Sequence, residues 1–286
     1  MKPMLRHLGR MAILVLLAGF CCALLVRLAP GSSVDEREFD RSLSEDNIAR
    51  IRAERTAARA PVRYFLAYLN GLRRADLGYS ASLHAPIAEL IAQRAPVTLI
   101  ELAAGWGSAW LLGLALALPA ALPFRLRVYD VASTLAAGVL LSVPAALLAY
   151  LCLVAGAWPQ VVVALVLLPR IFRFARGLFE QGYAARHVEM ARATGQSETR
   201  ILIVHVLPVA APGLVALAVT TVSMAIGACI PIEAICDVPG LGRLAWQAAL
   251  ARDLPLLVNL TMLVALATMA AAALGEVAVG GKEATS

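Results

Sequence analysis

Glu189 to Pro208 reads EMARATGQSETRILIVHVLP, a polar and charged interlude with apolar segments long enough to cross a bilayer on both sides. A stretch of that kind is a loop held at a membrane face. Glu189 to Ala193 are helix formers, Gly195 can take the left-handed conformation that ends a helix, and Ser197 stands where it can cap a second helix from Glu198. The expectation is a helix, a sharp turn and a second helix. The first would present Ala191 and Thr194 as a small-residue surface, with Glu189 and Arg192, three apart, on a polar side. Such an element fits a groove on another protein.

Composition agrees with a membrane setting. Of 286 residues, 60% are hydrophobic and 15% charged, whereas soluble domains average roughly 45–50% apolar and about 25% charged. The chain is an integral membrane protein. Its net charge of +6 then reports cytoplasmic loops and anionic headgroups, and no nucleic-acid partner is expected. The five cysteines show no paired spacing beyond the adjacent Cys21 and Cys22, whose side chains diverge on one helix, so neither a disulfide nor a metal site is expected.

Upstream of the loop, Lys2, Arg6 and Arg10 precede an uncharged run from Met11 to Val26 that Arg27 closes. With no small-x-small cleavage site, this reads as an uncleaved first span and not as a signal peptide. The chain then turns polar. Ser42 with Glu45 fits a capping box for a helix through about Arg59, and Pro61 restarts a helix in which Tyr64, Phe65, Tyr68 and Leu69 recur before Gly71. Further spans are expected at about 96–118, 129–151, 157–172, 207–232 and 254–279. Arg125, Arg127, Arg173, Arg176, Arg186, Arg192 and Arg200 place their loops on the cytoplasmic side. Six spans with both termini inside follow. The organisation expected is an N-terminal cytoplasmic end with the first span (1–29), an extracytoplasmic helical region (30–95), a five-helix core (96–280) with a cytoplasmic loop at about 173–206, and a cytoplasmic tail (281–286).

Single polar positions carry structural readings first. Glu101 opens the second span near the outer interface and reads as a helix cap or headgroup contact. Glu233 follows more than twenty almost uncharged residues and must end in a polar cavity or at the surface. Asp253, just before Pro255, reads as a helix start, and Pro239-Gly240-x-Gly242 as a tight turn. His205 has no second ligand at metal spacing and reads as a helix-end hydrogen bond to backbone.

Glu189, Ala191, Gly195, Leu207 and Pro208 resemble the E-A-A-x3-G-x9-I-x-L-P loop of the membrane subunits of ABC importers, with Met190 for the first Ala and His205 where Ile is usual. Ala191-Arg192-Ala193-x-Gly195 and His205 narrow the resemblance to the oligopeptide, dipeptide and nickel type of permease. The run Glu233 to Pro255, EAICDVPGLGRLAWQAALARDLP, is similar to that group's E-x5-P-G-L-G-R-L and A-R-D-x-P run, and Asp76 to Ser80 to its G-D-L-G-x-S. Together these matches cover residues from about 60 to about 275. The resemblance implies an all-α polytopic membrane protein with six transmembrane helices of the type I importer kind and an extracytoplasmic helical insertion after the first. It implies that Glu189, Ala191, Arg192, Ala193, Gly195, His205, Leu207 and Pro208 couple to an ATPase. It implies that Glu233, Pro239, Gly240, Gly242, Arg243 and Asp253 belong to a short segment at the outer mouth of the pore, where Gly240 and Gly242, as glycines, can adopt positive φ. The implied partners are a second homologous permease, two cytoplasmic ATPase subunits that bind ATP and Mg, and an extracytoplasmic binding protein, all at a bacterial inner membrane. The chain departs from the pattern at Ser32, at Cys236 and Val238, and after Glu276, where the D-P-R tail is missing.

The chemistry absent from the sequence points the same way. Lys2 and Lys282 are the only lysines, and neither sits in a phosphate-binding G-x4-G-K-[ST]. ATP hydrolysis must come from another subunit, and no cofactor is expected in this chain. There is no G-x-S-x-G and no H-E-x-x-H, so the chain is not expected to be an enzyme. Neither paired midplane charges nor an inverted repeat argues for a secondary transporter. Di- or oligopeptide is the expected substrate, since no His or Cys cluster suits a metal. The alternatives are a nickel or other small-solute permease, or a non-transporting scaffold that retains the fold.

Overall fold

Apolar runs of this length can satisfy their backbone in a membrane only as helices, and helices make up nearly all of the regular structure. The computed structural model describes residues 2–28, 61–74, 76–122 and 127–283. The elements are α1 (Lys2–Leu28), α2 (Pro61–Leu72), β1 (Tyr79–Ser80), β2 (Ala85–Pro86), α3 (Ile87–Ala121), α4 (Arg127–Ser142), α5 (Ala145–Val154), α6 (Pro159–Tyr183), α7 (Arg186–Ala193), α8 (Glu198–Ile201), a π-helical turn (Leu202–Val206), α9 (Leu207–Ile235), α10 (Leu241–Leu250) and α11 (Leu254–Glu283). The expected capping box at Ser42 and Glu45, its helix to Arg59, and Ser32 lie outside the described residues.

The chain divides into two compact units, Met1–Ala95 with Leu244–Leu266, and Pro96–Arg243 with Ala267–Ser286. In the first, α2 packs on α1 through aromatic contacts. The Phe20 and Phe65 rings meet edge to face at 5.7 Å, and Phe65 stacks on Tyr68 at 6.1 Å. The strands form a small antiparallel hairpin, with Tyr79 opposite Pro86 and Ser80 opposite Ala85.

In the second unit α6 and α9 pack along each other most extensively, with α4 and α5 against α6. Lipid supplies no hydrophobic drive between helices, so close backbone approach has to do so. Small residues recur every fourth position on α3: Gly105, Ala109, Gly113 and Ala117. A Cβ at Gly105 would lie 2.5 Å from Val163 Cβ, and one at Gly113 2.6 Å from Ile171 Cγ2, so α6 fits only against glycine there. One polar tie crosses this apolar interior, where Trp106 and Trp110 donate to the fully buried Thr221 Oγ1 at 3.0 and 3.2 Å.

Several expected boundaries are corrected. The second span starts at Ile87 and not near Pro96, because Glu89, Leu90, Ala92 and Gln93 continue the helix backwards through that proline. The third is broken: Val128–Ser142 and Ala145–Val154 meet at 99°. Val143 precedes Pro144, which biases it away from helix, and the proline cannot donate the next hydrogen bond. The fourth runs on to Tyr183. Its buried side carries Arg176, which Asp130 (2.5 Å) and Glu180 (3.0 Å) neutralise. Among the described residues three helices can cross a membrane by length and composition (Ile87–Ala121, Glu198–Ile235 and Leu254–Gly275), four if the bent pair is one span, and Met11–Leu25 is a shorter apolar run. The all-α polytopic fold stands on these, while six is a larger number than they supply.

Candidate functional site

The polar stretch folds as a closed corner. α7 ends at Thr194, and Gly195 follows at φ +78°. The Gly195 N–H donates to Arg192 O at 2.9 Å and the Gln196 N–H to Ala191 O at 3.1 Å, the two bonds of a Schellman motif. Arg192 then reaches across the corner to Glu198 with two parallel bonds, Nε to Oε1 at 2.7 Å and Nη2 to Oε2 at 3.1 Å. The same guanidinium lies 5.8 Å from the centre of the Tyr183 ring.

This geometry corrects four local expectations. Ser197 occupies the N-cap position with extended backbone but makes no side-chain capping bond. Arg192 pairs with Glu198, not with the exposed Glu189. Ala191 points into the unit's own core beside Val188, Ile201 and Val206. The outward face is therefore Glu189, Met190, Ala193 and Thr194. His205 bonds a side chain, with Nε2 3.3 Å from Gln196 Oε1, and its ring lies 5.6 Å from that of His187.

After the corner the expected second helix does begin at Glu198, and α8, the π-helical turn and α9 run on together as Glu198–Ile235. The π-helical turn, Leu202–Val206, immediately precedes Leu207 and Pro208. Pro208 has no N–H for the carbonyl four residues back and would clash with it; a wider turn relieves both. The residues singled out by spacing thus sit on one continuous path from an exposed corner into a membrane helix.

The second candidate segment is organised by Glu233, which is fully buried. Its Oε2 accepts the N–H groups of Gly242 at 2.6 Å and Arg243 at 3.3 Å, at the start of α10, and Leu241 N–H donates to Thr98 Oγ1 at 2.8 Å. The positive end of a helix thereby meets a carboxylate. Arg243 turns back to Asp237, with Nη2 2.7 Å from Oδ1 and Nη1 3.1 Å from the carbonyl. Gly240 and Gly242 are not at positive φ; the left-handed residue of this turn is Asp237 at +57°. The glycines serve close approach instead. A Cβ at Gly240 would run into the Glu233 carboxylate, and one at Gly242 would lie 2.6 Å from Ile230 Cα. Pro239 precedes them in the turn.

Asp253 belongs to the other unit and makes its own cluster. Oδ2 accepts Ser80 Oγ at 2.6 Å, Ser82 Oγ at 2.8 Å and Ser82 N at 2.9 Å, while Oδ1 accepts Leu256 N at 3.2 Å. Burial works against its charge, but these bonds prevail and hold the carboxyl below the ordinary aspartate range. Among the described residues no group of three or more His, Cys, Asp or Glu could hold a metal ion.

Sequence reasoning misplaced Glu101. It is 3% exposed and well inside α3, not at a helix start, and neither carboxylate oxygen has a hydrogen-bond partner. Once the helix is seen to begin at Ile87, Glu101 lies about four turns in.

The model of the family described as binding-protein-dependent transport system inner membrane component matches residues 103–280. A protein of Brucella suis biovar 1 (strain 1330) that carries the name peptide transport system permease protein is 29% identical over 277 residues, covering 88% of each chain. The oligopeptide transport system permease protein OppB of Escherichia coli (strain K12) is 29% identical over 261 residues, covering 84% of each. A Brucella ovis protein named as a peptide permease is 27% identical over 277 residues, again covering 84% of each.

Proposed function

This chain belongs to the family of binding-protein-dependent transport system inner membrane components, and from that premise we propose that it is the translocation subunit of an ATP-driven importer of di- or oligopeptides. Its partners in this reading are a second homologous permease, two cytoplasmic ATPase subunits that bind ATP and Mg, and an extracytoplasmic binding protein. Both termini lie in the cytoplasm and six segments cross the bilayer. The peptide class rests on the names of the relatives. Coupling rests on the chain's own geometry.

One observation carries the coupling assignment: the corner at Gly195 is exposed on one side and continuous with the core on the other. Met190 is 72% exposed, while Val188 and Ile201, on either side of the corner, are fully buried. A subunit that seats on Glu189, Met190, Ala193 and Thr194 therefore pushes directly on α6 and α9. The test is a single cysteine at Met190 in a background lacking the five natural ones. In membranes holding the assembled complex, a short photoreactive maleimide attached to that cysteine should cross-link to an ATPase subunit on illumination, with a yield that changes on ATP binding. No cross-link to that subunit, in a complex that still co-purifies with it, would remove the corner from the interface.

A further inference from the structure

Two carboxyl groups lie buried together where nothing basic among the described residues answers them. Glu233 on α9 is 0% and Glu101 on α3 3% exposed, and the α10 turn ties their surroundings together, since Leu241 N–H donates to Thr98, one turn before Glu101, and the adjacent Gly242 N–H to Glu233. Three of their four oxygens, both of Glu101 and Oε1 of Glu233, have no hydrogen-bond partner. Among the described residues the other titratable groups facing them are the thiols of Cys229 on α9 and of Cys236 just after its end, with Cys152 of α5 beside Cys236. None of these is a cation. Arg243, next to the site in the α10 turn, gives its guanidinium to Asp237.

Two bare negative charges cannot stand here together. A lone anion inside a membrane protein is costly, and two in mutual range repel at low dielectric. The start of α10 supports one negative charge, on Glu233, through the Gly242 and Arg243 N–H groups. Glu101 has no such support.

We propose that Glu101 and Glu233 together form a buried site for one small monovalent cation. The occupant is either a proton, carried as a carboxylic acid on Glu101, or an alkali-metal ion taken by the three free oxygens. Because Glu233 also anchors the turn into α10, occupancy and the position of that turn are linked, each biasing the other. Loss of the cation leaves two anions facing the turn, and release of the turn leaves Glu233 without its donors.

The test uses the full-length chain in lipid nanodiscs and needs neither ATPase nor peptide, so it succeeds or fails independently of the permease reading. Infrared spectra at neutral pH are compared for wild type, Glu101→Gln and Glu101→Asp, and melting temperatures are taken in sodium, potassium and choline chloride. A proton gives a carboxylic-acid C=O band in wild type that vanishes in Glu101→Gln and shifts in Glu101→Asp. An alkali ion gives a melting temperature higher in sodium or potassium than in choline, a difference lost in Glu101→Gln. If Glu101→Gln does not fold, wild type and Glu101→Asp decide alone. A wild type with no such band and one melting temperature in all three salts overturns the site, as does a band or salt effect that neither variant alters.

Discussion

Gly195 and Gly240 were both singled out by spacing, and they are needed for opposite reasons. Gly195 sits at φ +78° with nothing within 4 Å of the place a Cβ would occupy, so only backbone strain resists substitution. That strain is of order 1–2 kcal/mol for an ordinary L-residue, more for one with a branched Cβ, and least for Asn. Gly195→Asn should therefore keep the corner, and Gly195→Val should open it while the spans still insert. In reconstituted complexes, Gly195→Val is expected to lose both uptake and the ATPase stimulation caused by loaded binding protein, with Gly195→Asn close to wild type. Stimulation retained in the Val variant would mean that the corner transmits nothing. The corner was legible because a Schellman end is written locally, in a glycine after helix formers. The inward aim of Ala191 was not, because spacing along one helix does not say which side its neighbours cover. Glu101 was hidden for a related reason: its depth depends on where a helix begins, and nothing near Pro96 marks Ile87 as that start.

At the scale of elements, Asp253 joins the start of α11 to the loop between β1 and β2. Its carboxylate takes four hydrogen bonds, three of them from Ser80 and Ser82. The sequence named it as a helix start, and Leu256 N–H does donate to it; the serines it holds, 171 and 173 positions away, could not be read from spacing. A carboxyl held below its unfolded value stabilises the fold fully above that value, about 3.9 for aspartate, and the gain disappears as pH falls through the lower folded value. Asp253→Asn removes the charge and with it about 1.5–3 kcal/mol of charge-assisted bonding. The variant should melt several degrees below wild type at neutral pH, and the gap should close on acidification. Equal melting temperatures at neutral pH would show that the cluster is incidental. The bend at Pro144 belongs to this scale too. The sequence carries one apolar span across about 129–151, whereas a 99° break separates two helices, and the packing of α5 against both α6 and α9 supplies what the sequence lacks.

For the whole molecule the question is which way the corner faces. Among the described residues the helices that meet length and hydropathy are fewer than six, so orientation rests on charge. Arg173, Arg176, Arg186, Arg192 and Arg200 cluster within 28 residues of the corner region, and such clusters stay on the cytoplasmic side. Some of that charge is cancelled, since Arg176 is paired with Asp130 and Glu180 and Arg192 with Glu198. Arg173, Arg186 and Arg200 remain exposed, and they suffice to hold the bias. The hairpin tip near Leu83 lies in the long region between the first two spans, where ten Arg stand among nine Asp and Glu over residues 30–95; a loop of that length crosses largely regardless of its charge and should face outward. Cysteines placed singly at Leu83 and at Thr199, both exposed, in a chain lacking its five natural ones give the measurement. On intact cells a membrane-impermeant maleimide should label Leu83→Cys, and Thr199→Cys only after the membrane is opened. Labelling of Thr199→Cys from outside would put the corner on the side where no ATP is hydrolysed, and the coupling assignment and the six-span topology would fall together.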